Sequence, residues 1–277
     1  MTMTAPGLKR FKVQRLEEGA FVPAEALLII EKELPIIVNG ELLATASVTP
    51  LMEREFVAGY LFGQSFIESA AEIVSLKITE KGAYAVLADA DALLKGRKEK
   101  TTYRIVSGGG RTAYFETSVL PCVTSDFKID RQHIFQAMNL LFEKASLYEQ
   151  TGGAHSAALF DTRGNLLCLM EDIGRHNTLD KIIGHALLNG IDCAHTFMVS
   201  TGRMASEMVI KIARAGIPLV ATKTAVTDRG RKIGEQCGMT VIGSARAAGS
   251  RMIKDMGDSH IAEKAEMKIY TGAERVL

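Results

Sequence analysis

The stretch EDIGRHNTLDKIIG, residues 171–184, decides how this chain is read. Leu179, Ile182, Ile183, Ala186 and Leu187 recur at helical spacing, and Asn189-Gly190 closes the run, so a helix is expected over residues 178–188. Asn177 fits an N-cap, and Asp180 falls in the first turn beside Lys181. Immediately upstream, two apolar runs flank Arg163-Gly164 and read as paired strands. Downstream, a strand over 196–200, a helix over 204–215, a strand over 219–221, then a further helix and strand follow one another. With a helix over 131–147 in front, this alternation predicts a layered α/β domain.

The N-terminal part has another rhythm. ALLIIEKELPIIVNGELLATAS, residues 26–47, gives three strands with a tight hairpin at Asn39-Gly40. Thr49-Pro50 reads as an N-cap followed by proline at the first helical position, and Phe56, Val57, Tyr60 and Leu61 form the apolar face of a helix ending near Gly63. EIVSLKITEKGAYAVLADA alternates about Lys81-Gly82 as an antiparallel hairpin, and TTYRIVSGGG adds a strand running into glycines. FETSVLPCVTSDFKID has no period and suits a linker. The expected division is a smaller, mostly antiparallel α+β domain over 1–125 and an α/β domain over 126–277.

Composition narrows the function. Of 277 residues 47% are hydrophobic, enough for a substantial core, and 33 Lys and Arg nearly balance 32 Asp and Glu. No overall field draws in nucleic acid or an anionic membrane, so anion binding has to be local. No segment approaches the apolar length of a membrane span and no apolar stretch follows the basic residues at the N-terminus, so a cytoplasmic protein without membrane contact is expected. The four cysteines are widely spaced and give neither a disulfide framework nor a Cys-x-x-Cys metal pair.

Four segments carry candidate chemistry. Capping and a solvated face account for Asn177, Asp180 and Lys181, but not for Glu171, Asp172, Arg175 and His176, which fall at a strand end where α/β sheets place ligands. In QTGGAHSAALFD, Gly153 allows close backbone approach and His155 begins a strand, either as a structural residue or as a donor to a ligand. Thr201-Gly202-Arg203 form a strand-to-helix turn suited to an anion, or an ordinary turn with Arg203 paired to Glu207. MTVIGSARAAGSRM ends a strand in a loop with glycines and two arginines. All four lie at strand ends of one region, as a phosphate-bearing ligand would require.

In order and spacing, ELPIIVNGELLATASVTP, TGGAHSAALFDTRGNLL, EDIGRHNTLDKIIG, STGRMASEMVIKIARAGIP and KIYTGAERV resemble the formate dehydrogenase accessory sulfur-carrier family, FdhD/NarQ, over most of the chain after about Glu31. The resemblance implies a cytidine-deaminase-like α/β/α domain. It also implies a carrier that takes persulfide sulfur from a cysteine desulfurase and passes it to the molybdenum cofactor, bis-molybdopterin guanine dinucleotide, before that cofactor enters formate dehydrogenase. A homodimer is implied, with the cofactor as bound client and no catalytic metal. The family's cofactor-binding loop falls on Ser244, Ala245, Arg246, Ala247, Ala248 and Gly249, poorer here in glycine and arginine and followed by a charged insertion over about 250–266.

The family's reactive cysteine loop has no straightforward counterpart. VSGGGR, residues 106–111, puts Gly109 where the sulfur should stand, and with the gap placed otherwise Cys122 in LPCVTS is the nearby substitute. Persulfide transfer needs an accessible thiolate. Cys168 and Cys237 read as packing residues, and Asp192 raises the pKa of Cys193, which leaves Cys122 as the candidate. Two other readings stand beside this one. A cofactor-binding chaperone without sulfur transfer is supported by the glycine loop. A zinc-dependent deaminase-like hydrolase, suggested by the fold with His155 and His176, would need His-x-Glu and Pro-Cys-x-x-Cys, and the sequence contains neither.

Overall fold

Alternation along one strand shows how the larger part is layered. In β9 (His155–Asp161), Ala157 and Leu159 point into one core, and Ala158 and Phe160 into another on the opposite face. The computed structural model describes residues 6–89, 102–105, 111–114, 120–247, 251–253, 259–261 and 264–277. In it β9 belongs to a six-stranded sheet with β10 (Leu166–Asp172), β11 (Thr196–Ser200), β12 (Leu219–Thr222), β13 (Thr240–Arg246) and β16 (Glu266–Thr271), ordered β10-β9-β11-β12-β13-β16. The central strands β11, β12 and β13 are parallel, while β9 and β16 run antiparallel to their inner neighbours.

Helices cover both faces, as such a doubly buried sheet demands. On one face lies α2 (Arg131–Lys144), seated through Ile134, Ala137, Met138 and Leu141. On the other lie α4 (Arg175–Leu188) and α5 (Ser206–Arg214), with Leu179, Ile182, Met208, Val209 and Ile212 in the core. The helix expected over 131–147 is broken at Ala145, after which α3 (Ser146–Thr151) begins afresh. The break coincides with Glu171, whose carboxylate accepts the Leu147 and Tyr148 amides at 3.0 and 2.9 Å and so caps the new helix. A further helix, α6 (Asp228–Gln236), joins β12 to β13, and the insertion contains an antiparallel pair, β14 (Arg251–Ile253) and β15 (Ser259–Ile261).

The N-terminal part holds β3 (Lys32–Val38), β4 (Glu41–Val48), β5 (Ile73–Thr79) and β6 (Gly82–Leu87) in the order β4-β3-β6-β5, with α1 (Glu53–Gly63) on one face. Asn39 and Gly40 both adopt positive φ, 50° and 83°, as the two-residue hairpin requires. The strand expected first in this part is longer than its apolar run. It is β2 (Ala20–Ile29), paired along its length with β1 (Leu8–Glu17), whose basic residues disguise the strand period. A short backbone pair, β7 (Thr102–Ile105) with β8 (Arg111–Tyr114), matches the expected strand before the glycines.

Two helix starts differ from expectation. α1 begins at Glu53 rather than at Pro50, because Thr49 is fully buried and engaged elsewhere: its amide donates to Asp172 Oδ2 at 3.0 Å and its hydroxyl accepts the Ile173 amide. α4 begins at Arg175 rather than Thr178, capped by Gly174, so Asn177 lies inside the first turn, where its amide donates to Ser47 O and Asp172 Oδ1, both at 2.8 Å.

The two sheets meet through α1 and α4. A Cβ placed on Gly59 would lie 1.8 Å from the Asp180 carbonyl oxygen, and one on Gly184 would lie 1.8 Å from the Glu55 carbonyl oxygen. The helices therefore cross with their backbones touching. Ile183 passes over the crossing into the core of the four-stranded sheet beside Phe56, Val57 and Leu61.

Candidate functional site

Sheet topology gathers the singled-out segments at one end. The C-terminal ends of β10 and β11 lie beside the N-terminal end of antiparallel β9, where His155 is the cross-strand partner of Asp172 and Ala157 that of Ser200. β11 neighbours antiparallel β9 on one side and parallel β12 on the other, so the connection leaving β11 opens at a change of strand direction, a place where α/β sheets accept ligands.

The Thr201-Gly202-Arg203 turn is fixed by its own polar groups. The Ser156 amide donates to Thr201 Oγ1 at 3.0 Å, the Gly202 amide to Ser200 Oγ at 3.0 Å, and Thr222 Oγ1 to Gly202 O at 2.7 Å. A side chain on Gly202 would come within 2.9 Å of Arg175 Cβ, so glycine there lets the turn close onto the first turn of α4. His176 follows, its Nε2 3.4 Å from Glu207 Oε1 but not aligned for a hydrogen bond. The ordinary-turn alternative would pair Glu207 with Arg203 four residues earlier; among the described residues its ion pair is with His176 instead. The His176 ring first, then the residue's own backbone and the Ser206 hydroxyl, hold the Glu207 carboxyl down to about 2 against partial burial.

Cationic groups dominate what remains. Burial lowers the Arg175 pKa, Arg203 adds to the shift and Glu207 opposes it. His155, partly buried, is pushed below the ordinary histidine value by burial, then by Arg175 and His176, and by Arg203, while Asp172 opposes. Arg175, His176, His155 and Arg203 thus share one electrostatic site, assembled from α4, β9 and the β11–α5 turn. Such a donor set fits phosphate groups, since guanidinium forks, helix N-terminal amides and imidazole N–H groups all donate to oxyanions. Among the described residues, His176 Nε2 is a buried nitrogen without a hydrogen-bond acceptor.

Asp172 stands behind this cluster. Its carboxylate is fully enclosed, 2.6 Å from Lys181 Nζ and accepting the Thr49 and Gly174 amides and the Asn177 side chain. Lys181 also donates to the carbonyls of Thr49 and Glu171, both at 3.1 Å. The neighbouring Asp180, expected on a solvated face, is buried with both oxygens 2.7 Å from Lys211 Nζ; burial pushes its carboxyl up, and the ammonium partly offsets this. Asp180 and Lys181 are therefore core groups.

The fourth segment differs from its expected form. Ser244, Ala245 and Arg246 are the end of β13, not loop: the strand bulges there, Ser244 takes φ 54°, and its amide donates to Thr224 O at 2.9 Å. Thr224 Oγ1 lies 3.0 Å from Thr222 Oγ1, which ties this bulge to Gly202. Ala247 is buried beyond the strand end, and Ala248 and Gly249 lie outside the described residues. Gly153 is exposed between the end of α3 and His155, its amide donating to Thr151 Oγ1.

The cysteines lie elsewhere. Cys122 is exposed, Cys168 and Cys237 are buried, and Cys193 is intermediate. Burial pushes the Cys168 thiol up to about 12 and the Cys237 thiol to about 11; burial followed by Asp192 takes Cys193 to about 11. Val123, next to Cys122, donates to Cys237 O just before β13 begins, and Ser125 Oγ donates to Ala194 O just before β11 begins. Cys122 therefore sits by the N-terminal ends of the parallel strands, about one strand length, roughly 20 Å, from the cationic cluster. Gly109 lies outside the described residues. Among the described residues no group of three His, Cys, Asp or Glu side chains is disposed to hold a metal ion, and no helix is long and apolar enough to cross a membrane.

The family model described as FdhD/NarQ matches residues 29–277. The chain is 34% identical to a protein of Bacillus subtilis named sulfur carrier protein FdhD, over 84% of this chain and 90% of the relative. It is 32% identical to a protein of the same name from Methanothermobacter thermautotrophicus, over 77% of this chain and 84% of the relative. A crystal structure from Desulfotalea psychrophila, described as a formate dehydrogenase accessory protein, shares the fold with a TM-score of 0.75 at 24% identity, covering 98% of this chain and 100% of that one.

Proposed function

The chain belongs to the FdhD/NarQ family, and on that premise we propose that it serves formate dehydrogenase by binding the molybdenum cofactor, bis-molybdopterin guanine dinucleotide, as a client and supplying it with sulfur. The observation that carries this reading is the convergence of Arg175, Arg203, His155 and His176 at one sheet end. The arginines would grip pyrophosphate oxygens of the client, and Glu207 would hold the His176 ring in place. A cysteine desulfurase and formate dehydrogenase would be the protein partners, and a homodimer in the cytoplasm the working form.

For sulfur, Cys122 is the exposed thiol among the four. Its thiolate would attack the outer sulfur of the desulfurase persulfide, breaking that S–S bond, forming the Cys122 persulfide and releasing the desulfurase thiolate. Intact-mass measurement after incubating the reduced protein with a desulfurase and cysteine is expected to show a gain of one sulfur, reversed by dithiothreitol and absent in Cys122→Ala. The separation of Cys122 from the cluster favours a second reading, a client-binding chaperone that carries no sulfur; an unmodified wild type in that experiment would establish it.

The binding site is tested separately. Arg175→Ala and Arg203→Ala are each expected to weaken the binding of inorganic pyrophosphate by about tenfold or more, as loss of a charge-assisted contact does. Unchanged affinity in both would remove the cluster from consideration.

A further inference from the structure

The β1–β2 ribbon has two unlike sides. Its strands pair from Leu8 with Ile29 at the base to Glu17 with Ala20 at the tip, a length of about 34 Å at strand rise, and residues opposite one another share a side. One side carries Leu8, Leu27 and Ile29, which seat the base against Leu147, Ala154 and Tyr148, and then the Arg10–Glu25 ion pair at 2.9 Å. The other presents Phe11, Val13, Val22, Ala24, Ala26 and Leu28. Phe11 and Leu28 are 42% and 47% exposed, and the four residues between them are only partly covered. A two-stranded ribbon is marginal in water unless an apolar side is packed against something. Three charges share this apolar side along β1: Lys9, whose Nζ lies 5.4 Å from the centre of the Phe11 ring, and Arg15, in an ion pair with Glu17.

We infer that this side docks a second copy of the chain, the two ribbons lying face to face and antiparallel about a two-fold axis at the Val13–Ala24 pair; this rests on the homodimer of the proposed function and locates its interface. The order of residues is complementary to itself in that arrangement. Along β1, Lys9 meets the partner's Glu17 and Phe11 meets the partner's Arg15, an ion pair and a cation over an aromatic face, each made twice. Along β2, large meets small, with Leu28 over the partner's Ala20 and Val22 over the partner's Ala26. Packed sheets lie about 10 Å apart and cross at about 30°, a gap that side chains of these sizes fill. A two-fold axis running along the strands instead would set Lys9 on the partner's Leu28, Arg15 on the partner's Val22 and Glu17 on the partner's Ala20, leaving all three charges on apolar groups. It would also bring both ribbon bases, with the domains attached to them, to the same end. The antiparallel clasp keeps those domains at opposite ends. Its area is small beside that of standard complexes, so dissociation in the micromolar range is expected.

Sedimentation equilibrium of the full-length protein over a concentration series tests the interface. The wild type is expected to pass from monomer to dimer. Val13→Asp sets two carboxylates against each other at the axis and is expected to weaken the dimer about a hundredfold or more. Phe21→Ser changes a residue 74% exposed on the opposite side and is expected to leave the dimer as it was. Lys9→Glu confronts the partner's Glu17 and is expected to weaken the dimer about threefold or more, and adding Glu17→Lys to restore it. Damage to the ribbon itself would not be repaired by that exchange, so the charge swap decides the matter even where Val13→Asp does not fold. A wild type that stays monomeric overturns both the homodimer and this interface. A dimer indifferent to Val13→Asp and to Lys9→Glu overturns the interface alone.

Discussion

Replacing Gly59 or Gly184 by alanine is expected to cost at least about 3 kcal/mol of stability, or to prevent folding outright. At each glycine the atoms met by an added methyl are backbone: the Asp180 carbonyl and Gly184 amide from one side, the Glu55 carbonyl and Gly59 amide from the other. No rotamer change can make room, so α1 and α4 must separate. Separation in turn moves Ile183 out of the four-stranded sheet's core and shifts Asp180 away from Lys211. Helices ordinarily pack with axes about 8–10 Å apart, a spacing that leaves room for the side chains between them. Here the glycines hold them closer. Urea denaturation of both variants checks this, with Gly153→Ala as the comparison, since a methyl there meets nothing nearer than 3.5 Å and φ is not positive. Loss of less than about 1 kcal/mol in Gly184→Ala would show that the crossing yields more easily than close-packed backbones allow.

Lys181→Met is expected to be about as damaging, at roughly 3–5 kcal/mol. Both partners of the Lys181–Asp172 pair are fully buried, and the ammonium also serves the carbonyls of Thr49 and Glu171. Methionine fills most of the volume but leaves a buried carboxylate facing three N–H donors and no cation. Asp172→Asn combined with Lys181→Met removes the charge as well and is expected to recover part of the loss, which separates the effect of an unpaired charge from that of lost packing. The same pair sets the entrance of α4, because Asp172 accepts the Gly174 amide immediately before Arg175. Lys181→Met is therefore expected to weaken pyrophosphate binding in protein that remains folded, although the lysine itself is remote from any ligand. Denaturation midpoints and pyrophosphate titrations on the two variants decide both points; single and double variants of equal stability would argue against an unpaired-charge effect.

The order of strands and helices in the larger part was legible from apolar period alone, because strands buried on both faces and helices with one apolar stripe leave plain marks in a sequence. So was the Asn39-Gly40 turn, whose chemistry is local. Where partners come from far along the chain, local rules chose wrongly. Thr49-Pro50 has the form of a helix start, yet the amide of Thr49 is held by Asp172, 123 residues away. Asp180 and Lys181 look like a solvated pair in a first turn until α1 and α5 bury them and each finds a partner elsewhere. Glu207 had an arginine four residues before it, but the His176 ring across the turn is the closer neighbour. The candidate site was legible as types of residue at strand ends. The division between groups that face a ligand and those that stand behind them, Asp172 above all, required the sheet register.

Ile183 belongs to the core of a sheet whose last strand ends at Leu87, 96 residues earlier in the chain. During synthesis at about 5–20 residues per second, the last residue of that sheet is added roughly 5–20 seconds before the side chain that completes its core. For that interval Phe56, Val57 and Leu61 have only a partial cover, and the glycine face of α1 has nothing to cross. The nascent chain at this stage is a natural client for a ribosome-associated holdase, and slowing translation between the two segments would lengthen its exposure.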